Sequence, residues 1–297
     1  MTFVATLIGA AGALDDAALA RARAELPGAA PAQWLAPGTA ADIPFNAESG
    51  EDQRRTAARL REAVAVPLDI VVQPASRRRK RLFLADMDST MIRQECIDEL
   101  AEFVGLRDHV AAITERAMRG EIAFEPALRE RVALLKGLHA GVVEEVIAGR
   151  IALTPGGRTL IATMHAHGVH TCLVSGGFTL FTDRIAAMIG FREHRANVLV
   201  IDEDGRFAGL VEEPILGSDA KLTALRELTA RLGLAPEETM ATGDGANDLA
   251  MITAAGLGVA FHAKPKVAEA APARIDHGDL TALLYVQGYR QDEFVTT

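Results

Sequence analysis

Short apolar runs and longer amphipathic stretches alternate along this chain, and their different periods sort it into strands and helices. Leu82-Phe83-Leu84-Ala85, Val169-His170-Thr171-Cys172-Leu173-Val174, Thr239-Met240-Ala241-Thr242 and Leu257-Gly258-Val259-Ala260-Phe261 are of the first kind. Runs this apolar suit strands of a parallel sheet covered on both faces. From Gln94 to about Arg150 the period is helical throughout, with Ile97/Leu100/Val104, Val110/Ile113/Ala117, Leu128/Val132/Leu135 and Val142/Val146 as inward stripes. Thr154-Pro155 supplies an N-cap and a proline at the first helical position for a helix before the second strand. Beyond Ser175 the order reads helix, strand, hairpin, helix, strand, helix, strand. The hairpin pairs Asn197–Ile201 with Arg206–Val211 around Asp204-Gly205.

The first 75 or so residues have a pattern of their own: a strand near Phe3–Ile8, a helix near Asp15–Glu25, an extended Gln33–Leu35, a helix near Glu51–Val64 and a strand near Leu68–Val72. A stretch rich in proline, glycine and alanine, Pro27 to Pro44, leaves the middle of this unit undefined, and Trp34 is expected to pack inside it. The expected fold is therefore α/β: a doubly wound, mostly parallel sheet over 77–297, a helical insert at about 93–153, and a small N-terminal α/β domain over 1–76. A helical insert after the first catalytic strand would cover the carboxyl ends of the sheet and exclude water.

With 297 residues the chain can bury a substantial core and hold two domains. Its net charge of -9 argues against a nucleic-acid surface, which needs clustered cations. The run Arg77-Arg78-Arg79-Lys80-Arg81 accordingly reads as a solvated linker into the first catalytic strand. The two cysteines, Cys96 and Cys172, are too few for a disulfide framework and point to a reducing cytoplasm. The apolar start, Thr2 to Ala10, lacks the basic leader of a signal peptide, and no run reaches membrane-spanning length. A small molecule is the expected partner, not nucleic acid or membrane.

Chemistry concentrates where the apolar runs end. Leu82–Ala85 delivers the chain into Asp86-Met87-Asp88-Ser89-Thr90, two carboxylates two residues apart at the tip of a strand. One can attack phosphorus while the other handles protons; alone, the same five residues would also suit a polar turn. Val169–Val174 runs into Ser175-Gly176-Gly177, and Thr239–Thr242 into Gly243-Asp244-Gly245-Ala246-Asn247-Asp248. Between them Lys221 opens a helix with Leu222, Leu225, Leu228 and Leu232 on its apolar face.

In that order and spacing, Asp86/Asp88, Ser175, Lys221 and Asp244/Asp248 resemble the four motifs of haloacid-dehalogenase-superfamily phosphatases, from Arg81 to the C-terminus. Within that superfamily, Glu95, Met118, Phe124 and Arg131 fall where phosphoserine phosphatases recognise substrate. The resemblance implies a Rossmann-like sheet and hydrolysis of O-phospho-L-serine through an aspartyl phosphate, the last step of L-serine biosynthesis. Another small phosphomonoester, hydrolysed or used as a phosphoryl donor, is the alternative. It implies Asp86 as nucleophile, Asp88 as acid and base, Ser175 and the N–H groups of Gly176 and Gly177 as donors to phosphate, and Lys221 as fixed charge. Asn247 would bind substrate, Glu95 its ammonium and Arg131 its carboxylate, with Met118 and Phe124 against its carbon skeleton.

A hard divalent cation, Mg2+, would be held by Asp86, the backbone carbonyl of Asp88 and Asp244, an all-oxygen set. Asp248 would orient Lys221 or a metal-bound water. The N-terminal unit resembles degenerate amino-acid-binding (ACT-like) regulatory domains, and its expected role is structural or dimerising, as in a homodimer, more than effector-binding.

Overall fold

The computed structural model describes residues 2–47, 52–118 and 121–296. The first unit contains β1 (Thr2–Ile8), α1 (Asp16–Ala24), β2 (Gln33–Ala36), β3 (Ala40–Asn46), α2 (Gln53–Val64) and β4 (Asp69–Pro74). Its strands form an antiparallel sheet in the order β2-β3-β1-β4. Alternation decides its faces: Phe3, Ala5 and Leu7 pack with Ile43, Phe45, Leu19 and Leu60 under the two helices, and Trp34 lies half-buried against them. Thr6, Asp42 and Gln73 point the other way, and all three are buried.

The undefined middle of this unit is corrected by β3, which contains Pro44. Pairing with β2 stops at Asp42, so no neighbour on that side needs the N–H that Pro44 lacks.

The rest of the chain runs β5 (Leu82–Ala85), α3 (Cys96–Phe103), α4 (Arg107–Met118), α5 (Phe124–Ala133), α6 (Val142–Gly149), α7 (Gly157–Ala166), β6 (His170–Phe178), α8 (Thr179–Ile189) and β7 (Glu193–Asn197). It continues through β8 (Leu199–Ile201), β9 (Phe207–Val211), α9 (Ser218–Arg231), β10 (Thr239–Gly243), α10 (Leu249–Ala254), β11 (Leu257–Phe261), α11 (Pro265–Ala270), β12 (Ala273–Ile275) and α12 (Ala282–Val286). Six strands make a parallel sheet in the order β12-β11-β10-β5-β6-β7. The expected α/β class is the one found. Both faces are covered: Phe83 and Ala85 of β5 join Leu160, Phe181 and Leu283, whereas Leu82 and Leu84 join Leu225, Leu228 and Met251.

The chain winds outward from β5 through β6 to β7, then returns to β10 on the other side of β5. Crossovers therefore diverge between β5 and β10, and a crevice opens at their carboxyl ends. Helices α3 to α6 are inserted between β5 and β6. Leu100, Val110, Leu128, Val132, Leu135 and Val146 are buried among them as the periodicity requires, while Val104 and Ala117 are only half-buried. The β8–β9 hairpin docks on this insert through hydrogen bonds from Gly137 N to Phe207 O and from Phe207 N to Leu138 O, both 2.9 Å.

Local boundaries differ from expectation where backbone geometry overrides a cap signal. Helix α7 starts at Gly157, not at Thr154-Pro155, because Gly156 takes φ +81° and Leu280 N claims the Pro155 carbonyl. Asn197 closes β7 and does not open the hairpin, and α9 begins at Ser218, placing Lys221 within its first turn.

The basic run 77–81 is not simply solvated. Arg78 makes a two-pronged contact with Asp42 at 2.6 and 3.0 Å and also donates to Thr6 Oγ1 and to the carbonyls of Tyr285 and Val286. Buried Lys80 donates to the carbonyls of Arg77 and Glu237 at 2.9 and 2.7 Å. Among the described residues no helix is long and apolar enough to cross a membrane.

Candidate active site

Asp86 follows the buried β5 directly, and its N–H bonds Thr242 O of neighbouring β10 at 3.0 Å. Its position is thus fixed by the sheet. The next residues form a tight turn in which Ser89 takes φ +54°. That turn lets Asp86 Oδ1 accept from Met87 N at 2.8 Å and brings Asp88 Oδ1 within 2.9 Å of Cys96 N, at the start of α3.

Lys221 reaches the same crevice from α9. It lies 2.7 Å from Asp86 Oδ1 and 2.6 Å from Asp248 Oδ1, and all three side chains are buried. Asp248 Oδ2 also accepts from Gly245 N at 3.0 Å, so both its oxygens are committed. A Cβ on Gly243 would sit 2.3 Å from Asp248 Cγ, which accounts for glycine at the end of β10. Ser175 enters from β6. Its hydroxyl donates to Asp88 Oδ2 at 3.3 Å and accepts from Gly177 N at 2.9 Å. Thr90 Oγ1 donates to Asp244 Oδ1 at 3.2 Å.

The carboxylates of Asp86, Asp244 and Asp248 offer oxygens within 4.8 Å of one another, and no ion pair other than those of Lys221 holds Asp86 or Asp248 among the described residues. Burial drives Asp86 well above the usual carboxylate range, with repulsion from Asp248 adding to it and Lys221 pulling against it. Burial and Asp248 raise Asp244 to about 6. Burial by itself would lower Lys221, but Asp248 and Asp86 outweigh it, and the ammonium stays charged. A buried cluster of oxygen donors with more negative than positive charge is what a hard divalent cation relieves, so the residues present fit one.

Above the carboxylates opens a cavity of about 670 Å3 lined by Asp86, Asp88, Glu95, Phe124, Arg131 and Asn247, with Gly176 and Gly177 beneath. Glu95 Oε1 accepts from Ser89 Oγ at 2.6 Å, and burial together with Asp88 lifts its carboxyl to about 7. Arg131 is anchored by two donations, to Ala127 O and Thr114 Oγ1, both 3.2 Å. The ring of Phe124 would lie 3.2 Å from a Cβ on Gly176 and 3.5 Å from one on Gly217, so the glycines make room for it. Burial raises Asp88, opposed by hydrogen bonds from Cys96 and by Lys221.

Asp86, Asp88, Glu95, Phe124, Arg131, Gly176, Gly177, Asp244 and Asn247 thus come together around one cavity, with Ser175 bonded to Asp88, Lys221 to Asp86, and Asp248 joined to them through Lys221. Met118 closes α4, and its side chain lies outside the described residues. Sequence reasoning passed over Thr90, although it belongs to the same five-residue turn. It also missed Ser89, Thr114 and Lys264, which line the cavity. Lys264 could have been found by its place just beyond the carboxyl end of the strand Leu257–Phe261.

Residues 83–253 match the haloacid dehalogenase-like hydrolase family. The chain is 45% identical over 228 residues to a phosphoserine phosphatase of Archaeoglobus fulgidus, covering 76% of this chain and 66% of that one. It is 46% identical over 234 residues to a phosphoserine phosphatase of Streptomyces coelicolor, covering 78% and 57%. It therefore spans somewhat less than two thirds of the length of these curated relatives. A solved haloacid-dehalogenase-family hydrolase from Salmonella enterica superposes with a TM-score of 0.84 at 29% identity, over 98% of this chain and 99% of that one. A substrate-bound phosphoserine phosphatase superposes with a TM-score of 0.65 at 39% identity, over 70% and 98%.

Proposed function

This chain belongs to the haloacid dehalogenase-like hydrolases, and we propose that within them it is a magnesium-dependent phosphoserine phosphatase, yielding L-serine and phosphate through a phosphorylated Asp86. The observation that carries the reading is the meeting of a nucleophile, a fixed cation and an acid at the base of a cavity that also holds Glu95 and Arg131.

Phosphoryl transfer asks for in-line positioning and for charge opposite the equatorial oxygens. Asp86, held by β5 and β10, attacks phosphorus as its bond to the serine oxygen breaks. Asp88, raised by burial, gives its proton to the departing alkoxide and then takes one from the water that hydrolyses the acyl phosphate. Ser175 and the N–H groups beside it donate to phosphate oxygens, and Lys221 supplies charge that needs no reorganisation. When bound by Asp86, Asp244 and the Asp88 carbonyl, magnesium offsets the repulsion between carboxylate and phosphate. Glu95 meets the substrate ammonium, Arg131 its carboxylate with a planar fork, Asn247 its polar edge, and Phe124 with Met118 its carbon skeleton.

The same reading makes the reaction the last step of serine biosynthesis in the cytoplasm, with residues 1–76 as a structural ACT-like domain and the helical insert as a lid. Phosphate release from phosphoserine, measured with and without a chelator, tests it. Release that stops on chelation supports the proposal; no release with magnesium present ends it.

A further inference from the structure

Of the contacts that join the two units, one reaches a loop at the active-site end of the parallel sheet. Asp69 opens β4 and is buried, and its carboxylate accepts from three consecutive N–H groups just beyond the carboxyl end of β12. Oδ1 lies 2.6 Å from Asp276 N and 3.1 Å from His277 N, and Oδ2 lies 2.7 Å from Gly278 N. Successive N–H groups turned onto one carboxylate make a concave anion seat, and bonds to a charged acceptor are the short, strong ones. The seat belongs to the second unit and the carboxylate to the first, so the loop 276–281 takes its position from the first unit.

That loop bears on two supports of the cavity. On one side Leu280 N donates to Pro155 O at 3.1 Å, and a Cβ on Gly156 would stand 2.7 Å from Thr281 N and 2.9 Å from Asp279 Oδ1. Pro155 and Gly156 follow directly on the place where the two connections of the helical insert meet. There Ile92 bridges Leu153, Arg93 N donates to Ala152 O and Thr154 N to Met91 O, both at 3.0 Å. On the other side Gly278 O lies 2.8 Å from His262 Nε2. His262 takes the left-handed φ of +45°, and two residues on, Lys264 N bonds Asp244 O at 3.1 Å where Lys264 lines the cavity.

We propose that Asp69 is a positioning residue for the reaction: by seating the loop 276–281 it fixes both the connections on which the helical insert is hung and the segment 262–264 beside Asp244. The first unit is then a fixed part of the catalytic frame. Other ties between the units, from Gln73 Nε2 to Val286 O at 2.7 Å and from Arg78 to the carbonyls of Tyr285 and Val286, end on α12 instead. The role rests on the catalytic reading above, whereas its effect on the insert connections can be read without substrate.

Asp69→Asn keeps the shape of the side chain and removes its charge. Gln73→Leu cuts a tie of the same junction that ends on α12, and is the comparison. Hydrogen exchange of the full chain, read by mass spectrometry without substrate, should quicken in Asp69→Asn over 276–281 and over both insert connections, 91–93 and 152–156, and keep the wild-type rate in α9. In Gln73→Leu the insert connections should exchange as in the wild type. With phosphoserine, Asp69→Asn should lower kcat/KM about three- to thirtyfold, kcat and KM changing together; a smaller folded fraction would lower kcat alone. Exchange that quickens evenly along the chain, or no further than the loop itself, overturns the proposal. So do an unchanged kcat/KM and a Gln73→Leu variant that matches Asp69→Asn in both measurements. Should Asp69→Asn fail to fold, Gly278→Ala presses on the same contact from the loop side, its Cβ 3.1 Å from Asp69 Oδ2, and the same outcomes decide. A wild type that does not turn over phosphoserine faults the substrate reading, and the exchange rates then decide by themselves.

Discussion

At the scale of single residues, the crevice holds more like charge than a folded protein tolerates without use for it. Asp86 shares Lys221 with Asp248, and burial keeps it well above the usual carboxylate range. Asp86→Asn removes the proposed nucleophile and one of the mutually repelling charges together. Turnover of phosphoserine should fall by at least about a thousandfold, while the thermal midpoint holds or rises; undiminished turnover would remove Asp86 from the chemistry. Arg131 makes the opposite kind of prediction, since it touches no reacting atom. Arg131→Met lowers kcat/KM for phosphoserine about ten- to a hundredfold and leaves a decarboxylated analogue unaffected, which paired steady-state assays would show. Asp86, Lys221 and Asp248 were legible because they follow strands or open a helix in a fixed order, whereas Arg131, in the last turn of α5, was legible only through the family resemblance. Thr90 was not, because its reach to Asp244 depends on how separate loops fold beside one another, and Lys264 offered only its place beyond a strand end, not its reach into the cavity.

At the scale of elements, strands position the chemistry and glycines set its clearances. Gly177 donates to Ser175 Oγ, and a Cβ there would stand 3.0 Å from that oxygen and 3.1 Å from Asp88 Oδ2. Gly177→Ala therefore forces the loop after β6 to give by a few tenths of an ångström just where donor and acid meet. Its backbone is not in the left-handed region, so folding is spared. The expected result is about a tenfold loss of kcat with an unchanged thermal midpoint; full kcat would mean that the alignment of Ser175 and Asp88 carries no rate. Elements with strong period were readable from the chain, as the buried stripes of α3 to α6 show. Strand β3 was not, since Pro44 reads as a breaker until one knows that β2 begins only opposite Asp42 and leaves Pro44 without a paired neighbour in β2. The start of α7 was hidden likewise, because Gly156 and the Pro155 carbonyl answer to a distant segment, Leu280 and Thr281.

At the scale of the whole molecule, the basic run 77–81 joins the units in place of loosely linking them, and composition had no means of saying so. Arg78 bridges Asp42 in the first unit to the carbonyls of α12 in the second, and Lys80 is buried against the carbonyls of Arg77 and Glu237. Burial pulls the Lys80 ammonium from 10.5 down to about 8, with Glu237 opposing only in part. The folded state thus holds this proton less tightly than the unfolded chain. The penalty for burying the charge is complete below about pH 8 and fades as pH climbs toward 10.5, so stability from this group rises with pH across that window. Lys80→Met abolishes the titration but strands two carbonyls, and is less stable throughout. Measured by denaturant unfolding, the advantage of the wild type over Lys80→Met should widen between pH 8 and 10 by on the order of 1–2 kcal/mol, allowing for solvent screening. A difference that is flat over that range would show that Lys80 titrates like an exposed lysine, and that the junction is wetter than its packing implies.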